Sequence, residues 1–145
     1  ENNTGASDGI LDRPDDEANR PAGTFTFDFA QRITYFGMDI IDVEGTVQEN
    51  GFMAFYRDGN LITQIGFADF QNANSPHFDP TVVFGDNSAN RLTPVFASEY
   101  EAGGFDRVVV RLGGSGAIDN IVIPGPGAAS LLAAASLGLA RRRRR

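Results

Sequence analysis

Thr24-Phe25-Thr26-Phe27-Asp28-Phe29 alternates without a break, three phenylalanines against Thr, Thr and Asp. Successive side chains of a strand point to opposite faces, so this spacing makes one apolar face and one polar face, the pattern of a half-buried strand. The chain after it keeps the theme. Residues 33–43 are rich in β-branched and aromatic side chains, with a bulge or bend expected at Gly37. Asn50-Gly51 reads as a turn, and the apolar runs 52–56 and 61–67 flank Asp58-Gly59, a hairpin signal because glycine takes positive φ without steric cost. Residues 68–80 form a polar loop, long enough to be a candidate for function. Short strands are expected over 81–84 and 91–96, the second confined to an edge or bulge by Pro94. Residues 105–112 read as a clear strand, Gly113-Gly114-Ser115-Gly116 turns it, and 117–123 closes the domain. About eight short strands with turn signals every 8 to 12 residues, and no helix among them, predict an all-β antiparallel β-sandwich over residues 23–123. Twelve phenylalanines are expected to supply most of its core.

Before the first strand, residues 1–22 are Asn-, Gly-, Asp- and Pro-rich loop, with a possible short edge strand near 9–11. The whole chain has 145 residues, 19 acidic and 12 basic. Every basic residue is arginine, and five of the twelve are the last five residues. Residues 1–140 therefore set seven arginines against nineteen carboxylates, a formal charge of −12. Such a body repels nucleic acid and anionic membrane and suits neutral partners or divalent cations. Cysteine is absent, which excludes disulfides and thiolate metal sites.

The C-terminal stretch has another character. Ile123-Pro124-Gly125-Pro126-Gly127 leads into the uncharged run 128–140, then Arg141, Arg142, Arg143, Arg144 and Arg145. An apolar segment capped by cations is expected to enter a bilayer and stop with the guanidinium groups on the cytoplasmic side. As a helix, 127–140 would cover about 21 Å, short of a hydrocarbon core of about 30 Å. Only Leu131, Leu132, Leu137 and Leu139 favour insertion strongly. The segment is thus expected to be a short transmembrane helix that holds the chain briefly. A nucleic-acid patch and a core helix are the competing readings; 128–140 has only Ser130 and Ser136 as polar residues, which fits neither an amphipathic helix nor a core one.

This order of Pro-x-Pro element, apolar helix and arginine cluster resembles the PEP-CTERM sorting signal of exported bacterial proteins. Pro124 and Pro126 match the family's prolines, and Gly125 stands where the family has glutamate. The resemblance implies an exosortase-type membrane enzyme as partner, which recognises the motif and cleaves near it. It also implies transient inner-membrane insertion on the way to the cell envelope, the cell surface or the outside. An upstream signal peptide is expected; none is visible after Glu1. The body resembles the galactose-binding-like jelly-roll domains common among PEP-CTERM proteins. The segments that carry this likeness are 20–29, Phe55-Tyr56-Arg57-Asp58-Gly59-Asn60 and 114–121. It implies a jelly roll spanning roughly residues 9–123.

Catalytic motifs are missing. His77 is the only histidine, no Gly-x-Ser-x-Gly elbow occurs, and the glycine-rich 113–116 turn has no P-loop lysine, so no enzyme is expected. Asp12, Asp15, Asp16 and Glu17 offer the hard oxygen ligands that Ca²⁺ prefers. By resemblance to galactose-binding-like domains, Asp119 of the last strand would join them. Asn72, Asn74, His77, Asn87 and Asn90 are candidate ligand-binding residues, with Tyr35, Tyr56 and Tyr100 as aromatic platforms for a polysaccharide. Competing with this are asparagines that simply make turns. The leading expectation is an exported structural or adhesive β-sandwich. A calcium-dependent carbohydrate-binding module is the alternative, and part of a larger secreted enzyme the second alternative.

Overall fold

The computed structural model of the chain describes residues 23–43, 49–85, 88–114 and 116–124. The possible edge strand near 9–11, the carboxylates Asp12, Asp15, Asp16 and Glu17, and Asn87 lie outside these residues. So do Gly125, Pro126, the apolar segment 127–140 with its leucines, and the arginines 141–145.

Among the described residues eight strands follow in order: β1 (Gly23–Ile33), β2 (Tyr35–Ile41), β3 (Phe52–Arg57), β4 (Asn60–Gly66), β5 (Ala89–Arg91), β6 (Val95–Phe96), β7 (Phe105–Leu112) and β8 (Ala117–Val122). All pairings are antiparallel. One sheet runs β1-β7-β3-β4; the other centres on β2, with β8 along one edge and β5 and β6 along the other. The two inner faces interdigitate. Phe36 of β2 meets Phe27 of β1 at 5.7 Å and Phe55 of β3 at 6.3 Å between ring centroids, and Phe55 meets Phe105 of β7 at 4.7 Å. Met38, Ile40, Met53, Ile65, Val108 and Val110 complete the layer between the sheets. Each such side chain contributes about 1.5–3 kcal/mol by leaving water, which makes the cross-sheet contact the main source of stability. The chain is a β-sandwich.

Local chemistry explains several strand ends. Asp58 and Gly59 both take positive φ, 52° and 78°, and Arg57 pairs Asn60, so β3 and β4 join through a two-residue type I′ turn whose twist matches the strands. Pro94 cannot donate to a ladder. There the partners of β2 slip by one residue, from Asp39–Arg91 to Phe36–Val95, and one expected strand becomes β5 and β6. The Pro94 ring sits where a Cβ on Gly37 would stand, 3.0 Å away, which makes Gly37 the residue that admits the bulge.

Four expectations change. The run 33–43 is divided, because Ile33 ends β1 and the chain passes to the other sheet at Thr34. No strand forms over 81–84; Val82 is buried while Val83 points outward at 65 % exposure, and the segment is held as a loop by Asn90. The 68–80 loop is a chain of tight turns opened by a 3₁₀ turn at Phe67–Phe70 that buries both phenylalanines. Phe25, Phe27 and Phe29 share a face but not a burial: Phe27 and Phe29 pack on the core, whereas Phe25 is 42 % exposed.

Candidate functional site

Among the described residues a groove of about 300 Å³ is lined by Asp28, Phe29, Tyr56, Gly59, Asp106 and Arg107. It arises from an irregularity in β1. Asp28 pairs Arg107 and Ile33 pairs Phe105, five steps along β1 against two along β7, so three residues of β1 loop outward. Gly104 makes the return possible. Its φ is 126°, and a Cβ there would lie 2.8 Å from the Cβ of Arg32 and 3.1 Å from the carbonyl of Ile33. Asp28 and Phe29, where β1 leaves its register with β7, form one side of the groove, and Tyr56 and Gly59 of the β3–β4 hairpin the other.

Hydrogen bonds fix both walls to the floor. The Asp58 backbone N–H donates to the Asp106 carboxylate at 2.7 Å, and one guanidinium nitrogen of Arg32 straddles both carboxylate oxygens of Asp58 at 2.7 and 2.8 Å. Along the floor, Arg107 Nε donates to Asp28 at 2.6 Å. That hydrogen bond, and then the charge of Asp28, raise the Arg107 pKa above its ordinary value, with smaller contributions from Asp106 and Tyr56. Arg107 is therefore a fixed cation within electrostatic reach of two carboxylates and a phenol. Both partners of the Asp28–Arg107 pair remain largely exposed, so water screens the pair and its worth to stability is small.

The residues expected to bind a ligand from the polar loops are arranged differently. Asn72 accepts the Asn74 backbone N–H at its side-chain oxygen and the Ser75 N–H at its carbonyl, an Asx turn. Asn74 is exposed beside it. His77 turns inward, its Nε2 2.9 Å from the Tyr100 hydroxyl and its ring 6.1 Å from that of Phe70. Burial raises the Tyr100 pKa, partly offset by a hydrogen bond with Thr63. Asn90 is buried, accepting from the Val83 N–H at 2.8 Å and donating to Ser88. Asp79 ties the same region together, accepting from the Thr81 hydroxyl and N–H and from the Thr93 hydroxyl, and these hydrogen bonds lower its pKa. These side chains hold loops in place.

On the second sheet, Asp119 faces solvent with its carboxylate accepting the Asn120 N–H at 2.7 Å. Asn120 lies at φ 47° in a β8 bulge opposite β2 and donates to Asp39, which also receives two hydrogen bonds from Arg91. The Arg91 bonds first, then the Asn120 bond, hold the Asp39 carboxyl below its ordinary pKa. Asp39 thus spans β5, β2 and β8 as a clamp. Among the described residues no group of three or more His, Asp or Glu side chains is placed to hold a metal ion. Pro124 follows β8 half-buried. Among the described residues no helix is long and apolar enough to cross a membrane.

Sequence reasoning named Tyr56 but not the groove around it. The one available signal was the Asp58-Gly59 turn; the opposite side, where β1 leaves its register, depends on pairing with β7, nearly eighty residues away. Compared with protein-family models, with curated proteins and with solved structures, the chain finds no match.

Proposed function

We propose that the chain is an exported, non-enzymatic β-sandwich of a bacterial envelope or extracellular matrix, structural or adhesive in role and delivered by its C-terminal signal. One observation supports this reading above the others. Among the described residues every buried core residue lies between Ile33 and Leu112, and the last described strand ends at Val122, two residues before Pro124. A cleavage at or after Pro124-Gly125-Pro126 would therefore leave the described core whole, as a removable sorting tail requires.

The finer jelly-roll reading draws support from the connections. Among the described strands only β3 and β4 are hydrogen-bonded sequence neighbours within one sheet, whereas β1 to β2, β2 to β3, β4 to β5, β6 to β7 and β7 to β8 all cross between sheets. Repeated crossing of this kind suits a Greek-key or jelly-roll sandwich. The sorting proposal is tested by mass spectrometry of the protein recovered from its native host. The expected mature chain lacks 128–145; surface material that retains those residues refutes processing.

A further inference from the structure

We propose that Asn50 modifies itself: the backbone nitrogen of Gly51 attacks its side-chain amide and converts it, without an enzyme, to aspartate or to isoaspartate, the second of which loosens the turn. The proposal goes beyond the sorting and adhesive reading and does not depend on it.

Packing places these two residues together. Asn50 takes φ 51° at an exposed turn, a region that asparagine and glycine tolerate and most residues avoid. Gly51 lies against the core: a Cβ there would stand 2.6 Å from the Phe67 ring and 3.3 Å from the Arg111 carbonyl oxygen. The attacking nitrogen therefore belongs to a residue with no side chain to hinder its approach. Restraint separates this pair from the other asparagines. The side chains of Asn60, Asn72, Asn90 and Asn120 are each tied by a hydrogen bond. Asn74 is exposed, but the nitrogen that follows it, on Ser75, donates to the Asn72 carbonyl at 2.8 Å. Among the described asparagines, Asn50 is the one with neither tie, on its side chain or on the N–H that follows. The comparable Asp58-Gly59 turn is held, because Arg32 grips both carboxylate oxygens of Asp58 at 2.7 and 2.8 Å.

The reaction consumes water and needs no other reagent. Gly51 gives its amide proton to solvent base and its nitrogen bonds to Asn50 Cγ. The Cγ–Nδ2 bond breaks, and the leaving nitrogen takes a proton from water and departs as ammonia. Water then opens the cyclic succinimide at either C–N bond. Opening at Cγ gives aspartate in an unchanged main chain. Opening at the main-chain carbonyl gives isoaspartate, whose main chain runs through Cβ and Cγ and is one atom longer. The turn has no room for that atom: the Glu49 carbonyl packs against Gly113, where a Cβ does not fit, and Gly51 presses on Phe67. Isoaspartate thus pries the 49–51 turn off the end of β7, whereas aspartate leaves it in place.

The test is incubation of the full chain in mildly alkaline water enriched in oxygen-18, then tryptic digestion and mass spectrometry. Cleavage after Arg32 and Arg57 releases 33–57, in which Asn50 is the single asparagine. A synthetic 47–54 peptide, the same sequence without the fold, sets the time scale. Asn50 of the folded chain is expected to convert within about ten of the peptide's half-lives, with oxygen-18 in the new carboxylate, and at least about tenfold faster than Asn72, Asn74 or Asn90. The isoaspartate fraction, separated by chromatography, is expected to melt at least about 4 °C below the aspartate fraction. Asn50→Gly suits the positive φ and removes the amide, so 33–57 is expected to carry no label in that variant. The proposal is overturned if Asn50 stays intact over that time, if another described asparagine converts first, if Asn50→Gly keeps the label, or if the two fractions melt alike. An intact tail in the native host would sink the sorting proposal and leave each of these outcomes standing.

Discussion

Phe36→Ala removes the ring at the centre of the sandwich. Phe36 has no solvent exposure, and its centroid lies 5.7, 6.5 and 6.3 Å from those of Phe27, Phe29 and Phe55. Truncating a buried phenylalanine costs about 3–5 kcal/mol, the lost transfer free energy plus the cavity left behind. Each aromatic pair adds about 0.5–1.5 kcal/mol, and three pairs place Phe36 in the upper half of that range, near 4 kcal/mol. Against a total stability of about 5–15 kcal/mol, the variant should lose a quarter or more of its stability. Phe25→Ala is the matched control, a phenylalanine on the same face of β1 as Phe27 but 42 % exposed, and it should cost below about 1 kcal/mol. Urea denaturation followed by far-ultraviolet circular dichroism measures both, with equal slopes required for the comparison. If Phe36→Ala costs no more than Phe25→Ala, the two sheets do not pack through β2 as described and the argument from cross-sheet burial fails.

Further expectations concern backbone and pH. A Cβ at Gly113 would stand 1.7 Å from the Glu49 carbonyl oxygen, so Gly113→Ala must push the 49–51 turn off the end of β7 and should cost at least about 1–3 kcal/mol. Gly66→Ala, with φ −71° and only ordinary contacts, should be neutral or stabilising by about 0.4–1 kcal/mol in the same urea titration. Asp39 and Asp79 have pKa values below their unfolded ones, so the stability they contribute is present above about pH 4 and is lost as pH falls through the depressed values. The Tm should drop in that acid range, and less so in Asp79→Asn; an identical acid profile in the variant would contradict it. Tyr100 has the opposite sign: its raised pKa contributes stability below about pH 10 that is lost as pH rises through the raised value. An absorbance titration should show a tyrosine ionising above about pH 10 that vanishes in Tyr100→Phe.

Strands with a local signature were legible. The Thr24–Phe29 alternation, the Asp58-Gly59 turn and the apolar 105–112 run all lie inside strands or turns of the expected kind. Pro94 gave its bulge because a missing N–H acts wherever it sits. The 81–84 segment misled because a short β-branched run carries the same composition whether or not a partner edge is available. Of the groove, only Tyr56 and the hairpin turn could be read, since its other wall exists only where β1 leaves β7 between Asp28 and Ile33. The Asp39 clamp has no local signature, because its partners Arg91 and Asn120 lie 52 and 81 residues away.

By itself, the sequence determined the all-β class, the places where the chain turns, and the acidic body set against an arginine tail. Those follow from period-two alternation, glycine at positive φ and counted charges, each a property of a few adjacent residues. Tertiary structure alone decided that β1 lies beside β7 rather than β2, that Phe36 is buried and Phe25 is not, and that Tyr56 stands over a groove. The reason is that a strand presents its hydrogen-bonding edge identically to any partner. Which partner it takes is chosen by the apolar faces that two sheets can bury together, and that choice is made across the whole chain.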